Sequence, residues 1–290
     1  MPDHLPALAD CNQSFLCHFN NIEQKRRTAS TAQQRTILKR INSRYREYLG
    51  AVRFAEIARG EVLRSVNALE KYLVEAKALE KLDRRFNWRS DFCGSIIPEF
   101  LYCAFNAVLR ARGIEALFAT RDSVVEISLA GSQDGGWDVR HKNQDLSIGL
   151  REASITQAGN TTTFVVPVIA MEVKTNIDIN KLNGLDFSAE RLKRTFPSAR
   201  YVLVTETIDF SLKDNYASGA IDEIYVLRKQ VRSQARRNRA PLQPEVFKSL
   251  FEDVATLLTT ESVVRGHVYS RLTSGKLIHG QSQHKATNEP

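Results

Sequence analysis

Glu172 and Lys174 are separated by one residue, Val173, directly behind the apolar run FVVPVIA. In an extended strand, residues two apart share a face, so this carboxylate and amine converge while Val173 faces the opposite layer. The chain holds two other Glu-x-Lys tripeptides, Glu23-Gln-Lys25 and Glu75-Ala-Lys77. Glu75 and Lys77 lie in a helical pattern, where such residues point about 200° apart. Residues 21–30 show no strand pattern. A strand leaving the core would also end in solvated charges, so the pair needs support from elsewhere. Asp145, which begins the preceding strand, supplies it. If the two strands are neighbours, Asp145 and Glu172 can bind one divalent ion. Mg²⁺ favours one or two carboxylates, retained waters and substrate phosphate oxygens. So placed, it can polarise a phosphoryl oxygen and help generate hydroxide. Lys174 would hold or deprotonate the attacking water and offset charge on the phosphate. This set of groups suits hydrolysis of a phosphodiester.

The elements that position these groups follow from periodicity. From Thr31 to about Leu82 the pattern is helical, with Val62, Val66, Leu69, Leu73 and Ala76 recurring at spacings of four and three and Gly50 and Gly60 as expected breaks. Residues 86–113 predict a turn and then a helix, with Pro98 in its first turn, Gly113 as its stop, and Phe100, Leu101, Phe105, Val108 and Leu109 buried. Strands are predicted at 116–130, 144–150, 164–174, 199–207 and 221–229, and helices at 180–197 and 244–260. GSQDGGWD reads as a turn, and REASITQAGNTTT as a loop or hairpin tip. FVVPVIAMEVK reads as one continuous central strand. This order predicts an α/β core with a mixed sheet, preceded by a helical segment. That segment would cover the main core, line a DNA cleft or pack on a partner subunit.

Asp145 followed by Glu172-Val-Lys174 resembles the PD-(D/E)XK nuclease superfamily. QDLSIGL, AMEVKTNIDINKLNG with the following SAERLKRTFPSARYVLVTET, and IDEIYVLRKQ are more narrowly similar to type II restriction endonucleases of the BbvCI group and their Bpu relatives. The resemblance covers about residues 85–245. It implies a restriction-endonuclease-like α/β core, a central mixed β-sheet flanked by helices. The helical N-terminal region would occupy 1–85, the nuclease domain 86–278, and a disordered tail 279–290. It further implies Mg²⁺-dependent cleavage of double-stranded DNA at a specific, asymmetric site, leaving 5′-phosphate ends. The chain would be one of two homologous subunits, each cutting one strand. Asp145 and Glu172 would be metal ligands and Lys174 the catalytic lysine. Glu99 matches an acidic position that some relatives direct toward the metal, although a capping or solvated glutamate explains it too. The first acid lacks the preceding proline of the superfamily name, so Asp138 stays open as its rival, with Asp145 preferred. A repair or resolvase-type nuclease of the same fold, or a subunit that binds DNA without chemistry, are the competing readings.

Composition fits a nucleic-acid partner. The chain has 290 residues, an ordinary 42% apolar content that supports a core, and a net charge of +8. The run LRKQVRSQARRNR offers Arg228, Lys229, Arg232, Arg236, Arg237 and Arg239 as phosphate contacts, and Asn176, Lys181 and Asp178 follow the catalytic lysine. Turn formation explains Asn176 and Asp178 equally well, and a solvated basic loop explains the run. Cys11, Cys17, Cys93 and Cys103 form no CxxC pair, so neither a zinc site nor a disulfide framework is expected. No signal-peptide pattern or membrane-length apolar run is present, and a cytoplasmic location is expected. The absence of HExxH, GxSxG and a complete phosphate-loop motif leaves zinc-hydrolase, serine-hydrolase and nucleoside-triphosphatase chemistry without support.

Overall fold

The computed structural model describes residues 8–83, 92–121, 123–129, 136–211 and 219–273, with side chains as far as residue 259. The boundary expected between 85 and 86 and the tail expected from 279 lie outside these residues.

Four helices come first: α1 (Cys17–Thr28), α2 (Ala32–Ala51), α3 (Phe54–Ala58) and α4 (Leu63–Glu80). α1 falls in a mixed, polar stretch of weak periodicity, because it buries only His18 and Ile22. α2 opens on a capping box in which the Thr31 side chain accepts from Gln34 N and the Gln34 side chain reaches back to the Thr31 backbone. Gly50 lies within its last turn, whereas Gly60, at φ 84°, makes the break before α4. α5 (Ile96–Ala111) carries Pro98 in its first turn, and Gly113 stops it at φ 71°. All five side chains expected to be buried on α5 are buried.

The strands are β1 (Leu117–Ala119), β2 (Ser123–Leu129), β3 (Trp137–Lys142), β4 (Leu146–Gly149), β5 (Arg151–Gln157), β6 (Asn160–Val166), β7 (Ile169–Asp178), β8 (Arg200–Asp209) and β9 (Glu223–Val226). α6 (Ile179–Thr195) joins β7 to β8, and α7 (Arg232–Arg237) and α8 (Pro244–Thr273) close the chain. Five strands form the central sheet in the order β1-β4-β7-β8-β9. The β1–β4 and β4–β7 pairs are antiparallel, and β7–β8 and β8–β9 are parallel, so the sheet is mixed as expected.

Three sequence expectations need correction. The apolar run 164–174 is two strands, because Pro167 has no N–H for a ladder; β6 ends at Val166 and β7 starts at Ile169. The stretch 151–163, expected as a loop or hairpin tip, forms the two arms of the β5–β6 ribbon. Its exposed hydroxyls pair across the strands, Ser154 with Thr163 at 2.8 Å and Thr156 with Thr161 at 2.9 Å. Only Ala158 and Gly159, both at positive φ, make the expected tip. Finally, Trp137 and Asp138, assigned to a turn, begin β3 opposite Leu129 and Ser128.

Strand alternation divides the sheet between two cores. Ile169, Met171, Val173, Val202 and Val204 join the large core of α1, α2, α4, α5 and α8. Ala170, Tyr201 and Leu203 face α6 through Leu182, Leu185, Ala189 and Leu192. The helical N-terminal region therefore covers the main core. Among the described residues, no helix is long and apolar enough to cross a membrane.

Candidate active site

The site lies where β7 outruns β4. Their pairing ends with Leu146 opposite Met171, so the main chain of β7 beyond that point has no strand partner on this side. Asp145, the residue before β4, fills part of the gap by accepting a hydrogen bond from Val173 N at 2.7 Å. This fixes its carboxylate beside the end of β7. Lys174 then bridges both acids, donating to Asp145 Oδ2 at 3.0 Å and to Glu172 Oε2 at 2.6 Å. The structure thus brings Asp145, Glu172 and Lys174 together. Asp138 stands elsewhere, exposed on β3 and paired with Arg140 at 3.0 Å.

Two further groups hold the other oxygen of Glu172. Lys142 Nζ lies 3.0 Å from Oε1, and the Tyr201 hydroxyl donates to it at 3.4 Å. Sequence reasoning missed both. Lys142 sits in a polar stretch just upstream of Asp145, and Tyr201 reads as a core residue of its strand. Only the strand pairing makes them neighbours of Glu172.

The electrostatics follow from burial. Glu172 is 2% exposed, and its two ammonium partners balance its charge. Burial pushes Asp145 upward; Lys174 pulls it back and Glu172 adds to the rise, leaving it above the ordinary carboxylate range. For Lys174, burial works downward, but the two carboxylates outweigh it and raise the ammonium above its usual value. Asp145 and Lys174 open onto a cleft of about 510 Å³ whose wall also includes Cys17, Ser95, Arg121 and Glu206.

Among the described residues, no group of three or more His, Cys, Asp or Glu side chains could hold a metal ion. The donor set at this site is two carboxylates. It fits Mg²⁺, which completes its shell with water and phosphate oxygens, and does not fit zinc, which requires three or four protein ligands.

Glu99 is not placed to join that pair. It is 3% exposed, and its Oε2 accepts from His18 N and Phe19 N, each at 2.8 Å, capping the N-terminus of α1. Tyr45 donates to its Oε1 at 2.7 Å. With both oxygens so engaged, Glu99 is a structural cap, and burial pushes its carboxyl up to about 7 against the pull of these donors.

The basic residues divide into two groups. Arg228, expected to contact phosphate, is fully buried. Its guanidinium lies 2.8 Å from Glu206 and 2.9 Å from Glu70 and donates to Ala240 O at 2.5 Å. Arg239 and Lys77 also pair with Glu206. Burial alone would push Glu206 up, but Lys77, Arg239 and Arg228 outweigh it and hold it below the usual carboxylate range. Arg228 therefore braces the fold and cannot reach DNA. Lys229 pairs with Glu245 at 2.6 Å, and Arg232 with Asp209 at 3.1 Å, both at the surface. Arg236 and Arg237 on α7 are exposed. Lys181 pairs with Asp178 at 3.3 Å, and Asn176 Oδ1 accepts from Thr207 Oγ1 at 3.0 Å. Asp178 is mainly the N-cap of α6, accepting from Lys181 N. Asn176, Lys181 and Arg232 gather at one end of the sheet, because β7 and β8 run parallel with Asn176 beside Thr207 and Asp178 beside Asp209.

Residues 94–273, from just before α5 to the end of α8, match the family model of the Bpu10I restriction endonuclease. A solved chain of the native BbvCI A2B2 tetramer is 41% identical, with 89% of this chain and 100% of that chain covered, at a TM-score of 0.67. No curated protein matches. The family match takes in every strand of the sheet together with Asp145, Glu172 and Lys174, and the resemblance read from the sequence holds: the chain belongs to the Bpu10I restriction endonuclease family.

Proposed function

We propose that this type II restriction endonuclease subunit hydrolyses one strand of double-stranded DNA at a specific, asymmetric site, using Mg²⁺ and leaving a 5′-phosphate end. The observation that carries the reading is the Lys174 ammonium lying within hydrogen-bond distance of both Asp145 and Glu172. Asp145 and Glu172 would hold the ion. When bound, Mg²⁺ supplies Lewis acidity at the phosphate and a water acidified toward hydroxide. Lys142 and Tyr201 hold Oε1 of Glu172, leaving Oε2 to Lys174. Lys174 would donate to a phosphate oxygen or orient the attacking water. Asn176, Lys181, Arg232, Arg236 and Arg237 would follow the backbone at the same end of the sheet, giving affinity without base readout.

Plasmid cleavage tests this. Discrete fragments are expected with Mg²⁺, and EDTA should abolish them. Cutting that persists in EDTA would contradict the role of the two carboxylates. Smeared or structure-dependent cutting would instead indicate a repair-type nuclease.

By analogy with the A2B2 relative, a second, similar subunit is the expected partner, and the cytoplasm the expected location. The isolated chain should nick or be inactive, with double-strand breaks appearing when the partner is added. Clean double-strand cleavage by the isolated chain would overturn the two-subunit reading.

A further inference from the structure

We propose that Arg121 is a phosphate-binding residue of the cleavage cleft, an inference that rests on the nuclease reading and extends it beyond Asp145, Glu172 and Lys174. Arg121 lies in the short connection between β1 and β2. The β1–β4 ladder ends with Ala119 opposite Ser147, two residues before Arg121. The bond from Arg121 N to Gln144 O, 2.8 Å long, keeps the two chains together there. The β4–β7 register, carried one residue past Leu146 and Met171, sets Asp145 abreast of Glu172. Asp145 and Glu172 therefore form a row across two chains, with Arg121 beside the residue that precedes Asp145. Arg121 also lines the same cleft as Asp145 and Lys174.

Charge shows what this row lacks. The two carboxylates, Asp145 and Glu172, are matched by the two ammonium groups of Lys142 and Lys174. The protein's own charges there cancel, so attraction for a phosphodiester beyond what the ion would supply must come from elsewhere on the cleft wall. Arg228 and Arg239 are each bound to Glu206, which also lines the cleft. Arg121 is exposed, and among the described residues no ion pair holds its guanidinium. Among the described residues of the cleft wall it is the cation without a carboxylate partner. Its charge already opposes the rise that burial and Glu99 impose on the Cys17 thiol, another residue of that wall. Two parallel guanidinium N–H donors match two phosphate oxygens, a fit that an ammonium cannot reproduce.

The backbone adds an independent observation. Arg121 has φ 63°, a left-handed conformation that an L side chain adopts only with strain. Such strain concentrates where a side chain is held for a ligand. Glycine would make this turn more easily, so the turn itself does not call for arginine.

Arg121→Gly separates the two roles, because it relieves the backbone and deletes the guanidinium. The variant, assembled with its partner subunit, should melt at or above the native temperature. Its plasmid cleavage at limiting DNA should nevertheless fall at least about tenfold. For binding of a fluorescein-labelled mixed-sequence duplex in Ca²⁺, the plot of log affinity against log salt should lose about one unit of slope. Arg121→Lys should keep the slope and recover only part of the rate. Native cleavage and native slope in Arg121→Gly would overturn the proposal. So would slow cleavage with an unchanged slope, which would make Arg121 a structural residue. Should Arg121→Gly fail to fold, the slope measured on Arg121→Ala decides in the same way. If Lys174→Ala is inactive while Arg121→Gly is native, this inference alone falls; if Lys174→Ala cuts normally, the reading beneath it falls.

Discussion

Lys174→Ala should lower the rate of DNA cleavage by about 10²–10⁴-fold, the range for losing a positioned proton-transfer group or a charge stabiliser. Glu172→Ala should be at least as damaging, but for a different reason, and metal binding tells the two apart. Removing Lys174 leaves Asp145 and Glu172 facing one another without the ammonium that bridges them. Those carboxylates should still bind a divalent ion, more tightly than before, because the competing cation is gone. Removing Glu172 takes away half of the donor set and leaves Lys142 and Lys174 close together. Calorimetric titration with Ca²⁺ should then show binding retained in Lys174→Ala and lost in Glu172→Ala. Unchanged cleavage in both variants would remove the assignment of the site altogether.

The second large effect concerns stability. Arg228→Met should destabilise the fold by about 3–5 kcal/mol, the cost of removing one partner from a buried ion pair. The Arg228 side chain is 0% exposed and its partner Glu206 is 2% exposed, so neither is relieved by water. The variant would leave Glu206 with Lys77 and Arg239, and Glu70 without its guanidinium contact. Urea unfolding would measure the loss, and a native midpoint would refute it. Glu206 also gives this network a pH signature. Its folded pKa is held below the ordinary value, so its contribution is complete above the unfolded pKa and is lost as pH falls through the folded one. Arg236→Ala, at the exposed end of the same basic run, should change stability by no more than about 0.5 kcal/mol.

That contrast within one run of arginines shows where sequence reading stops. Charge and spacing marked LRKQVRSQARRNR as a group, but they do not reveal that Arg228 turns inward to two glutamates from distant segments. Glu70 precedes it by 158 residues, so no local pattern joins them. Glu99 went astray for a similar reason. Its sequence position in the first turn of α5 suggested a cap of its own helix or a metal ligand, whereas it caps α1, which buries too little apolar surface to be seen.

What was legible rested on short-range geometry. The i, i+2 rule placed Glu172 and Lys174 on one face, and β7 bears this out. Helical divergence separated Glu75 from Lys77, and they pair in different directions, with Arg44 and Glu206. Strand β7 itself was partly legible. Its apolar character was evident, but its start was set too early because Pro167 was read as part of the strand.

The β5–β6 ribbon departs from the end of β4 and returns at the start of β7, the end of both strands that lies away from Asp145 and Lys174. Its departure is tight: a side chain at Gly149 would collide with the carbonyl of Val166. The catalytic alignment is set by the ladder beyond that crossing and takes nothing from the length of the arms. Changes to the outer surface of the hairpin should therefore leave the cutting chemistry in register.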